Sequence, residues 1–178
     1  MQAKAALRAA ALSRRAQLSS AERIAAGEAI AAALRDVLAS ANRVAAYASI
    51  GSEPPTAAVL TALGHVLLPV LRTDGDLDWA PGPDVVPAAR GLREPTGPRL
   101  GSNALADCDV VLVPALAVDR VGNRLGRGGG SYDRALRCAT GLTIAVLYDG
   151  ERVESLPAET HDVAVRAVVT PSGLALLG

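Results

Sequence analysis

The sequence predicts an α/β fold: an open, mainly parallel sheet flanked by helices on both faces, a three-layer arrangement of Rossmann type carried by one domain over residues 1–178. Helix-like segments alternate with short apolar runs along the whole chain. Those runs, at 43–50, 65–70, 109–114, 143–148 and 163–170, are apolar almost throughout, as expected of strands buried on both faces of a parallel sheet. One of them leads into a glycine-rich turn that opens a further helix, and right-handed crossovers would connect the parallel strands.

Composition narrows the class further. With 178 residues, half of them hydrophobic and 20% charged, the chain is long enough to bury one sizeable core. Eighteen Lys and Arg balance eighteen Asp and Glu, so no overall field draws it to nucleic acid or to an anionic membrane, and phosphate recognition has to be local. Cys108 and Cys138 follow no Cys-x-x-Cys spacing, which favours core packing in a reducing compartment. No segment approaches the length needed to span a bilayer, and no apolar N-terminal run is bounded by a cleavage site. A cytoplasmic monomer without nucleic-acid or membrane partners is the expectation. Aromatic residues make up 2% and Phe is absent, so the core must be built from Ala, Val, Leu and Ile.

Residues 4–15 contain strong helix formers throughout, and Lys4 and Arg8, at i and i+4, share one face of that helix. The spacing fits either a solvated basic face or two cations that reach one anion together. Ser19 to Glu22 fits a capping box, and Ile24, Ile30, Leu34, Val37 and Leu38 predict a second, longer helix covering one face of the sheet. Strand 43–50 carries Tyr47 near its end and is followed by Glu53. Ligand crevices in open α/β sheets form beyond the carboxyl ends of strands, so Glu53 is either an exposed loop carboxylate or a site residue. Thr56 can cap a helix ending near Gly64. After strand 65–70, residues 74–79 (DGDLDW) fit a small hairpin or flap. Trp79, the only tryptophan, is either a core residue or a flat platform for a ligand. His65 and His161 have no metal-ligand partner at useful spacing and are expected to be structural or exposed.

The chain is organised around residues 124–133 (RLGRGGGSYD). Gly126, Gly128, Gly129 and Gly130 surround Arg127, giving a turn that can adopt positive φ and bring its amides close to a ligand. Residues 131–139 read as a helix, so the turn would end where unpaired amides favour an anion. Arg124 and Arg127 can each fork two hydrogen bonds onto a phosphoryl group. Asp133 has the wrong charge for phosphate, which makes sense if a Mg²⁺ ion lies between them. The lysine of a Walker A loop is absent, and Ser131 stands where a dinucleotide fingerprint would need a third glycine. From composition alone, a solvated turn is the alternative.

With the residues before it, this stretch reads VPALAVDRVGNRLGRGGGSYDRAL and resembles the motif of the 5-formyltetrahydrofolate cyclo-ligase family, also called methenyltetrahydrofolate synthetases. The resemblance extends from Lys4 to Asp162. Family members usually carry an aromatic at Val118 and a Tyr at Ser131, so two aromatic contacts to the substrate are missing here. The resemblance implies an ATP- and Mg²⁺-dependent ring closure of 5-formyltetrahydrofolate, with or without a polyglutamate tail, to 5,10-methenyltetrahydrofolate. It assigns Lys4 and Arg8 to the ATP phosphates, together with Arg124, Leu125, Gly126 and Arg127. Gly128, Gly129, Gly130, Ser131 and Tyr132 complete the nucleotide loop. Arg124, Arg127 and Tyr132 are the catalytic candidates. Tyr47, Ala48 (through its backbone at most), Glu53 and Trp79 would contact the folate, and Glu94 and Pro95 would shape a loop. Asp133 and Asp162 would bind Mg²⁺, although Asp162 taken alone reads as a turn residue. No Ser-His or Cys-His pair suggests a covalent nucleophile. The alternatives are an ATP-dependent transfer on a related pterin or small carboxylate, and a non-catalytic nucleotide or sugar-phosphate sensor.

Overall fold

A computed structural model describes residues 2–178; Met1 lies outside them. In chain order the elements are α1 (Gln2–Ala16), α2 (Ser20–Ala39), β1 (Val44–Ala45), α3 (Ala57–Leu63), β2 (Leu67–Leu71) and β3 (Leu77–Pro81). Next come β4 (Val85–Pro87), β5 (Arg93–Pro95), β6 (Val110–Pro114), β7 (Ala117–Val118) and β8 (Arg124–Leu125). The chain closes with α4 (Ser131–Ala135), β9 (Leu142–Val146), β10 (Ala167–Thr170) and β11 (Gly173–Leu176). Seven strands form one sheet in the order β11-β10-β9-β6-β1-β2-β3. The five inner strands are parallel, and both edges are closed by antiparallel neighbours, β3 on β2 and β11 on β10.

Side-chain alternation along the inner strands feeds two cores. Val111 and Val113 of β6, Ala145 of β9 and Val168 of β10 enter one core, with Leu105 and, from the α4 side, Ala135 and Leu136. Val110, Leu112, Ile144, Val146, Ala167 and Val169 enter the other, with Ile30 and Leu34 of α2 and Val59 and Leu60 of α3. The period of two along each strand therefore divides the apolar residues between two covered faces. Gly141 lets β9 start beside β6, because a Cβ there would collide with the carbonyl oxygens of Cys108 and Asp109.

The capping box is present: Ser19 Oγ accepts from the Glu22 amide, and Glu22 Oε2 accepts from the Ser19 amide at 2.8 Å. Strand 43–50 is shorter than its apolar run suggests. Past Ala46, whose amide still donates to the Leu67 carbonyl, the backbone turns to other partners: Thr56 Oγ1 donates to the Tyr47 carbonyl at 2.7 Å and accepts from the Ser49 amide at 3.0 Å. The hydroxyl expected to cap α3 is thus spent on shaping the 47–56 segment, and α3 has no side-chain cap. Residues 74–79 do form a hairpin, as the loop and second strand of the β2–β3 pair at the sheet edge.

The direction of chain connections changes between β1 and β6: β1 continues to β2 on one side, and β6 to β9 on the other. A crevice opens beyond the carboxyl ends of such a pair. α1 lies there, its Ala11 packed with Leu116, Ala117, Leu125 and Leu156.

Candidate active site

A cavity of about 810 Å³ occupies this switch point. One wall is α1, presenting Lys4, Arg8 and Arg15. The segment after β1 with Tyr47, Ala48 and Glu53, the segment after β6, and the glycine loop through Asp133 also line it. The β2–β3 hairpin, β5 and residues 159–162 close the sides. The size falls in the range that holds organic ligands and cofactors.

Gly130 holds the turn into α4 in the left-handed region, at φ 68°, and Gly128 has φ 106°. α4 has only five residues before a 3₁₀ turn, so the loop amides matter more than any helix dipole. Arg8 Nε donates to the Gly126 carbonyl at 2.8 Å, which lays its guanidinium along the loop. Arg124, with its side chain 4% exposed, donates to Asp133 Oδ1 at 2.8 Å and lies 5.9 Å from the centre of the Tyr132 ring. Arg127, by contrast, is 46% exposed and reaches Glu53 Oε1 at 3.2 Å. Glu53 is held on its other oxygen by the Ile50 amide at 2.9 Å.

Ser131 lines the cavity and its hydroxyl donates to the Gly75 carbonyl at 2.6 Å, while Arg134 bonds the same carbonyl and Asp76. The hairpin tip is thereby tied to α4. Val118 is fully buried and does not line the cavity. Of the two positions where the resemblance leads one to expect an aromatic, Val118 is thus packed in the core and Ser131 is tethered to the hairpin.

Lys4 and Asp162, both cavity residues, are each other's partner at 2.8 Å, and Lys4 also meets Glu159 at 3.0 Å. Hydrogen bonding to Asp162 raises the Lys4 pKa above its ordinary 10.5, against burial. For Asp162, burial pushes upward, yet the bonds from Lys4 and from the Glu159 amide outweigh it and hold the carboxyl below its ordinary 3.8. The raised amine keeps its stabilisation below pH 10.5 and loses it as pH climbs through the folded value. The lowered carboxyl keeps its own above pH 3.8 and loses it as pH falls through the folded value. Carbon-detected NMR titration is expected to put the Asp162 midpoint below 3.8. A midpoint at or above that value would show that the pair does not form in solution.

Asp133 and Asp162 line the same cavity, but among the described residues no three His, Cys, Asp or Glu side chains cluster as a self-sufficient metal site. Mg²⁺ usually takes one or two carboxylates and completes its shell with phosphates and water, so a two-carboxylate donor set fits that ion. The bonds from Arg124 and the Val163 amide use Asp133 Oδ1, and those from Lys4 and the Glu159 amide use Asp162 Oδ2. Asp133 Oδ2 and Asp162 Oδ1 accept no hydrogen bond among the described residues.

Trp79 corrects the sequence reading. It is 0% exposed, lies in the core and does not line the cavity. On the buried face of β3 it meets Tyr132 edge-on at 6.5 Å, so it supports a cavity residue from behind and cannot stack on a ligand. His65 and His161 are exposed, as expected.

Five buried side-chain polar atoms have no hydrogen-bond partner among the described residues. Four belong to cavity residues: Arg15 Nη1, Tyr47 OH, Arg124 Nε and Tyr132 OH. Leaving such groups unpaired is costly, and their concentration in one cavity marks a place for a polar ligand. Burial, reinforced by the Glu53 charge, pushes both phenols well above their ordinary pKa, so both are donors near neutral pH.

The model of the 5-formyltetrahydrofolate cyclo-ligase family matches residues 1–171. The chain belongs to that family. It is an enzyme, a cyclo-ligase. The 5-formyltetrahydrofolate cyclo-ligase of Mycolicibacterium smegmatis is 44% identical over 182 aligned positions, covering 94% of this chain and 93% of that one. The Escherichia coli K12 protein of the same name is 33% identical, over 74% of this chain and 79% of its own. The solved structure of Aquifex aeolicus 5,10-methenyltetrahydrofolate synthetase superposes with a TM-score of 0.84 at 28% identity, covering 98% of this chain and 92% of that one. No helix among the described residues is long and apolar enough to cross a membrane.

Sequence reasoning left Arg15 out of the site. A signal for it existed: at about 100° per residue, Lys4, Arg8 and Arg15 fall on one helical face, i, i+4 and i+11.

Proposed function

We infer that this cyclo-ligase converts 5-formyltetrahydrofolate to 5,10-methenyltetrahydrofolate, using ATP and Mg²⁺ and releasing ADP and phosphate. The observation that carries the reading is a single cavity that combines a cation-flanked glycine loop with two buried, unpartnered phenols. One end suits a polyphosphate and the rest suits a polar heteroaromatic substrate.

The formyl oxygen is a poor leaving group. In the proposed route it attacks the γ-phosphorus of ATP, and the bond from that phosphorus to ADP breaks. N10 then closes on the activated carbon and gives up its proton, and the carbon–oxygen bond to phosphate breaks. Arg124 and Arg127, with Arg8, Lys4 and the amides of 126–131, would hold the phosphates in line and carry their charge. Lys4 would exchange Asp162 for a phosphate oxygen. Tyr47 and Tyr132 would donate to the folate, and Glu53 would orient it beside the Ala48 backbone. Asp133 and Asp162 would hold Mg²⁺, which when bound neutralises charge on the phosphates. No side chain need form a covalent bond to substrate.

In this reading one domain acts as a monomer, and every residue assigned a role lines one cavity. The two free thiols agree with a cytoplasmic setting. The test mixes protein, ATP, Mg²⁺ and 5-formyltetrahydrofolate, follows the near-ultraviolet absorbance of the methenyl product, and omits each component in turn. A rise that needs all three is the expected result. Nucleotide bound and released unchanged, with no absorbance change, would replace this reading by that of a sensor.

A further inference from the structure

Arg15 sits two helical turns, about 10 Å, beyond Arg8 on the same face of α1. Its side chain is 0% exposed, yet it lines the cavity. Nε donates to Glu151 Oε1 at 2.6 Å, while Nη2 donates to Glu151 Oε2 at 2.7 Å and to the Ala115 carbonyl at 2.6 Å. The Tyr148 ring lies 5.5 Å from its guanidinium carbon. Nη1 takes no part in any of this and is buried without an acceptor. The Tyr47 hydroxyl is a second buried, unpartnered group on the same cavity.

The ion pair to Glu151 accounts for Nε and Nη2 and leaves Nη1 unexplained. Buried charged donors are rarely left without an acceptor. Three hydrogen bonds already fix the guanidinium plane, so the free N–H groups are pre-oriented and binding a ligand there immobilises nothing further. Glu151 also neutralises the cation. A second carboxylate or a phosphate would have to share that one charge with Glu151, whereas an uncharged acceptor needs only the N–H.

We propose that Arg15 is a substrate-recognition residue whose Nη1 donates to an uncharged carbonyl or ring-nitrogen acceptor on the pterin ring, in the cavity it shares with the Tyr47 hydroxyl. The assignment rests on the folate reading above. It separates the tasks along α1: Lys4 and Arg8 at the loop end face phosphate, and Arg15 faces the heterocycle.

Arg15→Lys tests this, because a lysine can keep the charge pair with Glu151 while lacking the Nη1 donor. The expected result is a KM for 5-formyltetrahydrofolate raised about tenfold or more, with the KM for ATP and the calorimetric affinity for ADP unchanged. A companion variant, Arg15→Met with Glu151→Gln, removes the buried charges together and leaves an oxygen to accept from the Tyr148 amide, now bonded to Glu151 Oε2 at 2.9 Å. It is expected to show the same selective loss. A 5-formyl tetrahydropterin probe lacking the aminobenzoyl-glutamate tail locates the contact: the loss persists with the probe if Arg15 reads the ring.

An unchanged folate KM in folded Arg15→Lys overturns the proposal, as does a loss shared equally by ATP and folate, or one that disappears with the tailless probe. Wild-type protein that takes no folate overturns the functional reading and this inference together. Normal wild-type turnover with an indifferent Arg15→Lys overturns the inference alone.

Discussion

Arg124→Ala is expected to lower kcat/KM about a hundred- to thousandfold, the loss seen when one pre-oriented transition-state donor is removed. The side chain has little freedom: it is 4% exposed, Asp133 Oδ1 anchors Nη2 at 2.8 Å, and the Tyr132 ring lies against it. Its unpartnered Nε is buried, so part of its donor capacity is held in reserve. Nothing nearby can substitute. Arg127 is half exposed and engaged with Glu53, and Arg8 is bound to the loop carbonyl of Gly126. Loss of Arg124 also frees Asp133, but that carboxylate is 17% exposed and can be hydrated. The stability cost should stay near 1–2 kcal/mol, a few degrees in Tm. Arg124→Lys keeps the charge without the fork and should fall between the two. Steady-state kinetics with a parallel thermal melt checks both parts. Turnover near wild type in folded Arg124→Ala would remove the phosphate assignment.

The largest stability effect is expected from Glu151→Ala. Glu151 takes two bonds from Arg15 and one from the Tyr148 amide, and both partners of the ion pair have side chains at most 4% exposed. Removing the carboxylate leaves a fully buried guanidinium without its counter-charge, a change that costs about 3–5 kcal/mol. For a chain of this size that corresponds to a Tm lower by about 10 °C or more. Arg15→Met with Glu151→Gln should recover most of the loss, since no buried charge is then stranded. Denaturant unfolding of both variants decides it. A Glu151→Ala protein as stable as wild type would mean that water reaches Arg15 and the pair adds little.

Much of the site was legible because its parts are local. The glycine loop, its flanking arginines, Tyr132 and Asp133 lie within ten residues, and their spacing alone places them together. Lys4 with Arg8, and Tyr47 with Glu53, are likewise neighbours in sequence, and all of them line the one cavity. Trp79 was ambiguous for a physical reason. A lone aromatic in a chain without Phe suits a core and a ring platform equally, and only the pairing of β3 with β2 turns it inward. Glu151 carried no signal, because a glutamate in a polar turn reads as solvated until a helix 136 residues earlier in the chain brings Arg15 against it.

By itself, then, the sequence determined what depends on near neighbours. It specified the α/β class from alternating patterns, the capping box at Ser19, the strand-to-helix glycine loop and the family to which the chain belongs. The tertiary structure alone decided which charges are free. Lys4 and Asp162, 158 residues apart, become partners, as do Arg15 and Glu151, while Ser131 is drawn to the hairpin tip. Periodicity and turn chemistry act over a few residues, where backbone sterics and local hydrogen bonds set the outcome. The partner of a charge is settled by where the parallel sheet delivers distant chain ends, and no local pattern encodes that.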